Sequence, residues 1–282
     1  MTASEPWVHA LDAASAPAAE RARAAASWAA ESARQDRILL QTCHRVELYG
    51  VGPAPAAALP AAEHLLRVAT GLESAVIGED EVLHQVRGAL LAAAGPRDVR
   101  LTRLFETAIA AGRRARAGRT ASTASLAGLA LRWLTRRTEL KGRPVLVAGA
   151  GHMGWALARA ARKAGAQVTV ASRSRDRAEA AARSLGAQAT DLTRAAGQTA
   201  AAAAVAVALA GPWEELTGTL PPTADLSWPS AVAPHVRGEY LGVDDLFAGG
   251  EEPPPGYVES ATAIVVAKLA EYRSWLEVKS CA

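Results

Sequence analysis

The chain has almost no cysteine and few aromatic residues, and these scarcities narrow what it can be. Among 282 residues there are two Cys, two Met, two Phe and four Tyr. Cys43 and Cys281, the latter one residue from the end, do not make the disulfide framework of a small exported domain, and a reducing cytoplasm is the expected setting. No uninterrupted apolar run approaches the ~20 residues of a membrane helix. No membrane span is therefore expected, although 50% of residues are hydrophobic, a share raised by alanine. The N-terminus carries Glu5 and lacks a basic stretch leading into an apolar core, so no secretory leader is expected. Length alone suggests about two domains, each able to bury its own core.

Charge is balanced overall, at +3, but arginine is not evenly spread. Arg97, Arg100, Arg103, Arg113, Arg114, Arg116 and Arg119 crowd one stretch, followed by Arg132, Arg136, Arg137, Lys141 and Arg143. Such a surface suits phosphate contacts with a polyanion. A solvated helix face is the plainer reading, and on charge alone it is the preferred one.

The most informative use of a scarce residue is Gln41-Thr42-Cys43-His44-Arg45-Val46-Glu47-Leu48-Tyr49. An imidazole and a guanidinium beside one thiol favour the thiolate, which is the nucleophile. The alternative is a small buried hydrophobe. Ile38 to Leu40 and Val46 to Val51 read as strands, which puts Cys43 at the turn between them. Pro60 starts a helix carrying Glu63, His64, Leu65, Leu66 and Val68. Leu72 to Glu79 is a compact loop bounded by Gly71 and Gly78. A helix with Val82, Leu83, Val86 and Leu90 at helical spacing follows, with Gly95 as its stop. Two more helices are expected at about 101–117 and 125–139, the second a connector.

Pro144 to Ala148 reads as a strand, running into Gly149-Ala150-Gly151-His152-Met153-Gly154, then a helix from about Trp155 and a second strand, Gln167 to Ala171. A glycine triplet in that setting is the fingerprint of a dinucleotide-binding Rossmann unit, with the pyrophosphate at the helix N-terminus. Where an NAD site carries an acidic residue, this chain has Ser172-Arg173-Ser174-Arg175, with Arg177 close by. Hydroxyls and cations suit a 2′-phosphate, so NADPH is expected over NADH, with Arg173 as the leading phosphate partner. The backbone and side-chain contacts to the cofactor are expected from Gly149, Gly151, His152, Met153, Gly154, Ser172, Arg173, Ser174 and Arg177. Beyond this, 199–209 is expected to hold a buried strand, 212–234 to be loop, and Leu241 to Leu246 to form a last strand and turn. A final helix, about 257–277, carries Ile264, Val265, Leu269, Tyr272 and Leu276 as an apolar stripe.

These motifs together resemble the glutamyl-tRNA reductase family. Thr42-Cys43-His44-Arg45-Val46-Glu47 resembles its T-C-N-R-x-E, and His64 to Ser74 its H-L-x-R-V-x-x-G-L-x-S. Gly78-Glu79 with Gln85-Val86 resembles its G-E-x-x-I-x-x-Q-V, and the nucleotide motif and Val243-Asp244-Asp245-Leu246 follow in the family's order. His44 stands where the family has Asn, the segment between Cys43 and His64 is shorter, and Ala13 holds the place of an early family histidine. The family's spine helix and dimerisation domain are not matched, so a shortened member or close paralogue is expected.

The resemblance implies an oxidoreductase of tetrapyrrole synthesis. Cys43 would attack the ester of glutamyl-tRNA to give a thioester, which NADPH would reduce to glutamate-1-semialdehyde for a downstream aminomutase. It also implies His64 as general acid or base, Arg45 as holder of the glutamyl carboxylate, and Thr42, Ser74, Glu79 and Gln85 as substrate-binding residues. The fold class expected is α/β: an N-terminal α+β catalytic domain over 1–122, a connecting helix over 123–141, a Rossmann domain over 142–250 and a C-terminal helix over 251–282. The alternatives are a paralogue reducing another acyl-tRNA or carrier-bound acyl group, or a non-catalytic tRNA-binding relative, which retention of Cys43, Arg45 and His64 disfavours.

Overall fold

The computed structural model describes residues 5–42, 44–74, 76–93, 97–117, 125–249, 253 and 255–280. The chain divides into two compact units, Met1–Ala124 with Gly250–Ala282, and Ser125–Gly249. Cys43 and the expected helix stop Gly95 lie outside the described residues.

The first unit is built on an antiparallel sheet of β1 (Trp7–Asp12), β2 (Arg37–Gln41), β3 (Arg45–Gly50) and the short β4 (Leu59–Pro60), in the order β2-β3-β1-β4. Helix α1 (Ala18–Glu31) joins β1 to β2, and α2 (Ala61–Thr70), α3 (Glu81–Ala92) and α4 (Val99–Arg116) follow the sheet. Strand β3 is interior and pairs with both β1 and β2, and all six of its residues are buried. Side chains alternate along a strand, so Arg45, Glu47 and Tyr49 share one face. Tyr49 on that face packs with Leu65 and Leu66 of α2 and Phe105 of α4, its ring edge-on to Phe105 at 5.1 Å. The strand thus sends charged side chains into a helix-covered interior.

The C-terminal helix, Tyr257–Ser280, belongs to this unit. Its stripe of Val265, Tyr272 and Leu276 enters the same core. Tyr257 Oη donates to the Thr70 carbonyl at 2.6 Å and Tyr272 Oη to the Arg100 carbonyl at 3.0 Å, so both phenols find acceptors at buried positions.

The second unit is a doubly wound parallel sheet. It begins with α5 (Leu126–Thr135) and continues through β5 (Pro144–Ala148), α6 (His152–Lys163), β6 (Gln167–Ala171), α7 (Arg175–Leu185), β7 (Gln188–Thr190), α8 (Leu192–Gln198), β8 (Ala204–Val207), β9 (Thr223–Asp225) and β10 (Tyr240–Gly242). The order β10-β9-β8-β5-β6-β7 puts β5 at the switch point, where the strand order reverses. Helix α5 packs on α6 within this unit and ends at Thr135, short of the expected 139. Helix α6 starts at His152 rather than Trp155, directly after the second glycine. The region 212–234, expected as loop, contains β9, a three-residue strand paired with both β8 and β10. Among the described residues no helix is long and apolar enough to cross a membrane.

Candidate active site

The first unit's site grows from the turn between β2 and β3. Thr42 Oγ1 accepts from the backbone N–H groups of His44 and Arg45, both at 3.1 Å, and the Thr42 N–H donates to the Arg45 carbonyl at 2.9 Å. A short hydroxyl side chain capping its own turn fixes the backbone on either side of position 43. Thr42, His44 and Arg45 are all buried.

The centre of the site is a residue that the sequence reading passed over as part of a motif. Glu47 is wholly buried and its carboxylate is surrounded by donors. Oε1 accepts from Arg45 Nη1 at 2.9 Å and meets His64 Nε2 at 2.8 Å, while Oε2 accepts from Tyr49 Oη at 2.5 Å. Burial alone would push a carboxyl up; here His64, Arg45 and Tyr49 outweigh it and hold Glu47 at about 2. The same contacts act on the partners. Burial pulls His64 down, but the Glu47 carboxylate overcomes this and leaves it above its ordinary value. Burial and the neighbouring charge both push the Tyr49 phenol well up, so it stays a donor. With Nε2 on Glu47, Nδ1 is the His64 nitrogen left to take or give a proton. The signal in the sequence was the spacing Arg45-x-Glu47-x-Tyr49, which places ionisable groups on one strand face.

The loop after α2 forms the next wall. Gly71 ends α2 with φ +77°, and a Cβ there would lie 2.9 Å from the backbone of Gly78. Only glycine allows that crossing, which is closed by Gly78 N–H donating to the Gly71 carbonyl at 3.0 Å. Arg45 Nη2 donates to the Glu73 carbonyl, and Arg67 Nε pairs with the Glu73 carboxylate at 2.5 Å. Ser74 hydrogen-bonds the buried Glu79 side chain, whose Oε2 has no hydrogen-bond partner among the described residues. Burial first, and then Glu81, raise Glu79 to about 7 against the pull of Ser74, Arg116 and Arg45. Two carboxyls of one unit are thus driven in opposite directions, Glu47 to the anion and Glu79 to the acid. Gln85 is half-buried on α3. The structure therefore brings Arg45, His64 and Glu47 into direct contact, and Ser74 with Glu79.

Much of the arginine-rich stretch works inside the fold. Arg97 Nη1 donates to the carbonyls of Ser32, Arg34 and Arg37. Arg100 forks onto Asp98 at the start of α4, and Arg116 reaches carbonyls of three neighbouring segments. Arg137 lies 3.7 Å from the Trp133 ring centroid and pairs with Glu239. Arg113 and Arg114 are exposed.

In the second unit the three glycines have separate reasons. Gly149 has φ +127°, and a Cβ there would sit 2.1 Å from the Ala208 carbonyl oxygen; one on Gly154 would sit 2.1 Å from the Gly149 carbonyl oxygen. Both are demanded by the protein's own backbone. A Cβ on Gly151 would meet nothing within 4 Å, so the space before the N-terminus of α6 is open to a pyrophosphate. His152 and Met153 open α6, and Gly151, His152, Trp155 and Arg177 line a cleft of about 400 Å³. The buried Ser172 accepts from the Ser174 N–H at 3.2 Å, and Ser174 caps α7 through the Arg177 N–H. Arg173 is drawn onto the carbonyls of Ala210 and Pro212, at 3.1 and 2.5 Å. Arg177 is the cation that lines the cleft.

Residues 56–118 match the family described as glutamyl-tRNAGlu reductase, N-terminal domain, and residues 144–232 match that described as NADP oxidoreductase, coenzyme F420-dependent. A solved glutamyl-tRNA reductase from Methanopyrus kandleri superposes over 98% of this chain and 81% of its own, with 26% identity and a TM-score of 0.51. In both units the chain is similar to glutamyl-tRNA reductases. Curated glutamyl-tRNA reductases from Halobacterium salinarum and Thermus thermophilus are 37% and 40% identical over 170 and 149 residues, 51% and 44% of this chain. The matched chain spans 39% and 38% of their lengths.

The Glu79 environment predicts a pH-dependent stability. A carboxyl raised from 4.5 unfolded to about 7 folded makes the folded state hold its proton more tightly. That contribution is fully present below 4.5 and is lost as pH rises through 7. Its size is roughly 3 kcal/mol for a fully buried group. Urea unfolding of the wild type and Glu79→Gln across this range should show a decline in the wild type that the variant lacks; parallel curves would refute the assignment.

Proposed function

We propose that the chain reduces the activated glutamyl ester of glutamyl-tRNA to glutamate-1-semialdehyde, the entry step of five-carbon tetrapyrrole synthesis, with NADPH as reductant. The observation that carries this reading is the Glu47 hub. It holds a guanidinium of β3 and an imidazole of α2 together, and that guanidinium, Arg45, follows Cys43 by two residues in the sequence. Such a cationic setting favours the Cys43 thiolate.

The thiolate attacks the ester carbonyl; the ester C–O bond breaks and a thioester forms. The departing tRNA hydroxyl takes the proton that His64 carries on Nδ1. Arg45 has five donors, and Glu47 and the Glu73 carbonyl take one on each terminal nitrogen. The remainder are what would hold the glutamyl side-chain carboxylate. Thr42, Ser74, Glu79 and Gln85 complete the acyl pocket in this reading. When bound, NADPH would supply the hydride that takes the thioester carbonyl to the aldehyde, with Cys43 leaving as the thiolate. Gly149, Gly151, His152, Met153 and Gly154 would hold its pyrophosphate, and Ser172, Arg173, Ser174 and Arg177 its adenosine end. The aldehyde product calls for an aminomutase downstream, and a cytoplasmic setting suits both tRNA and a reactive thiol.

The direct test is incubation with glutamyl-tRNA, with and without NADPH. Semialdehyde should form with NADPH, and an acyl adduct on Cys43 should accumulate without it. No deacylation of the tRNA would overturn the reading, and full activity in Cys43→Ser would overturn the thioester step.

The two arginines should separate in cofactor binding. Arg173 organises the 210–212 loop, so Arg173→Ala should weaken NADPH and NADH alike. Arg177→Ala should weaken NADPH selectively, by about tenfold, the loss of one charge-assisted contact. Titration of both cofactors checks this; an unchanged NADPH-to-NADH ratio in Arg177→Ala would contradict it.

A further inference from the structure

We infer that Arg116 is the positioning residue of the substrate loop, setting where Ser74 and Glu79 stand without touching the substrate. Its side chain is 9% exposed and lies where α2, α4 and the loop meet. Nη1 donates to the Ala69 carbonyl at 2.8 Å and to the Gly112 carbonyl at 2.9 Å. Nε donates to the Glu79 carbonyl at 3.1 Å, Nη2 donates to the same oxygen, and Nε also lies 3.1 Å from Asp80 Oδ1. One planar group therefore ties the end of α2, the body of α4 and the end of the loop together.

Two glycines make room for this clamp. A Cβ on Gly112, one turn before Arg116, would sit 2.5 Å from the Ala69 carbonyl oxygen, so α4 closes on α2 only with glycine there. A Cβ on Gly71 would lie 3.2 Å from Arg116 Nη2 as well as against Gly78, so the guanidinium fills the space beneath the loop's crossing point. The loop is thus gripped at both ends by arginines: Arg45 holds the Glu73 carbonyl and Arg116 the Glu79 carbonyl. Between these grips stands Ser74, bonded to the Glu79 side chain.

The division of labour follows from the chemistry. Three carbonyls and a carboxylate around one cation need a fork of fixed geometry. A lysine offers a compact ammonium that satisfies some of these acceptors but not all. Arg116→Lys should keep the charge and the fold while loosening the end of the loop.

The inference rests on the reading that Ser74 and Glu79 line the acyl pocket, so the test has an arm that needs no substrate. By hydrogen exchange, Arg116→Lys should lose protection at the amides of Gly78 and Glu79, which donate to the Gly71 and Val76 carbonyls, while β3 and α4 stay protected. Unchanged exchange at 78 and 79 would overturn the inference, and so would loss of protection throughout the unit, which would mark a plain structural staple. In the activity arm, KM for glutamyl-tRNA should rise about tenfold, with kcat falling less and NADPH affinity unchanged. A fall in kcat at constant KM would contradict a positioning role in binding. If the wild type proves inert toward glutamyl-tRNA, the function proposed above fails, and the exchange result still decides whether Arg116 sets the loop.

Discussion

One buried carboxylate orders the first unit. Glu47 has no exposed surface, and an isolated charge there would cost several kcal/mol to desolvate. It is tolerated because Arg45, His64 and Tyr49 supply hydrogen bonds to both oxygens. Each partner is in turn fixed by the others: Arg45 lies along the strand, Tyr49 is wedged against Phe105, and His64 is brought by α2. Removing one member of such a set leaves another buried and uncompensated, which makes the group act as a unit.

The unit's second device is the loop from Gly71 to Asp80. Its two ends are held by arginines from different elements, and its own bonds, Gly78 to Gly71 and Glu79 to Val76, close it between those grips. The glycines at 71 and 112 are the local condition for those contacts. In the nucleotide-binding unit the same logic separates glycines demanded by neighbouring backbone, Gly149 and Gly154, from Gly151, whose side facing open space suits a ligand.

Much of this was legible in the sequence. The glycine triplet between a strand and a helix defined the second unit, because tight turns leave a compositional trace. The β2–β3 turn and the helix bearing His64 were visible from β-branched content and from Pro60. What escaped was short or tertiary. Strands β7 and β9 are three residues long and carry alanine at their centres, so nothing local marks them and only the sheet confers their extended form. The arginines read as a surface cluster include Arg97, Arg100 and Arg116, which bind carbonyls and a carboxylate inside the unit; no spacing rule distinguishes such side chains from solvated ones. Glu47 was within reach, since charged residues at every second position of a strand point to one face.

The central claim is that Glu47 sets the charge of His64, and it is tested most directly by following the His64 ring by NMR in the wild type and in Glu47→Gln. Burial and Arg45 pull the imidazole down, and the Glu47 carboxylate is the main force raising it. His64 should therefore titrate above 6.5 in the wild type and below 6.5 in the variant. Identical titration in a variant that remains folded would contradict the account.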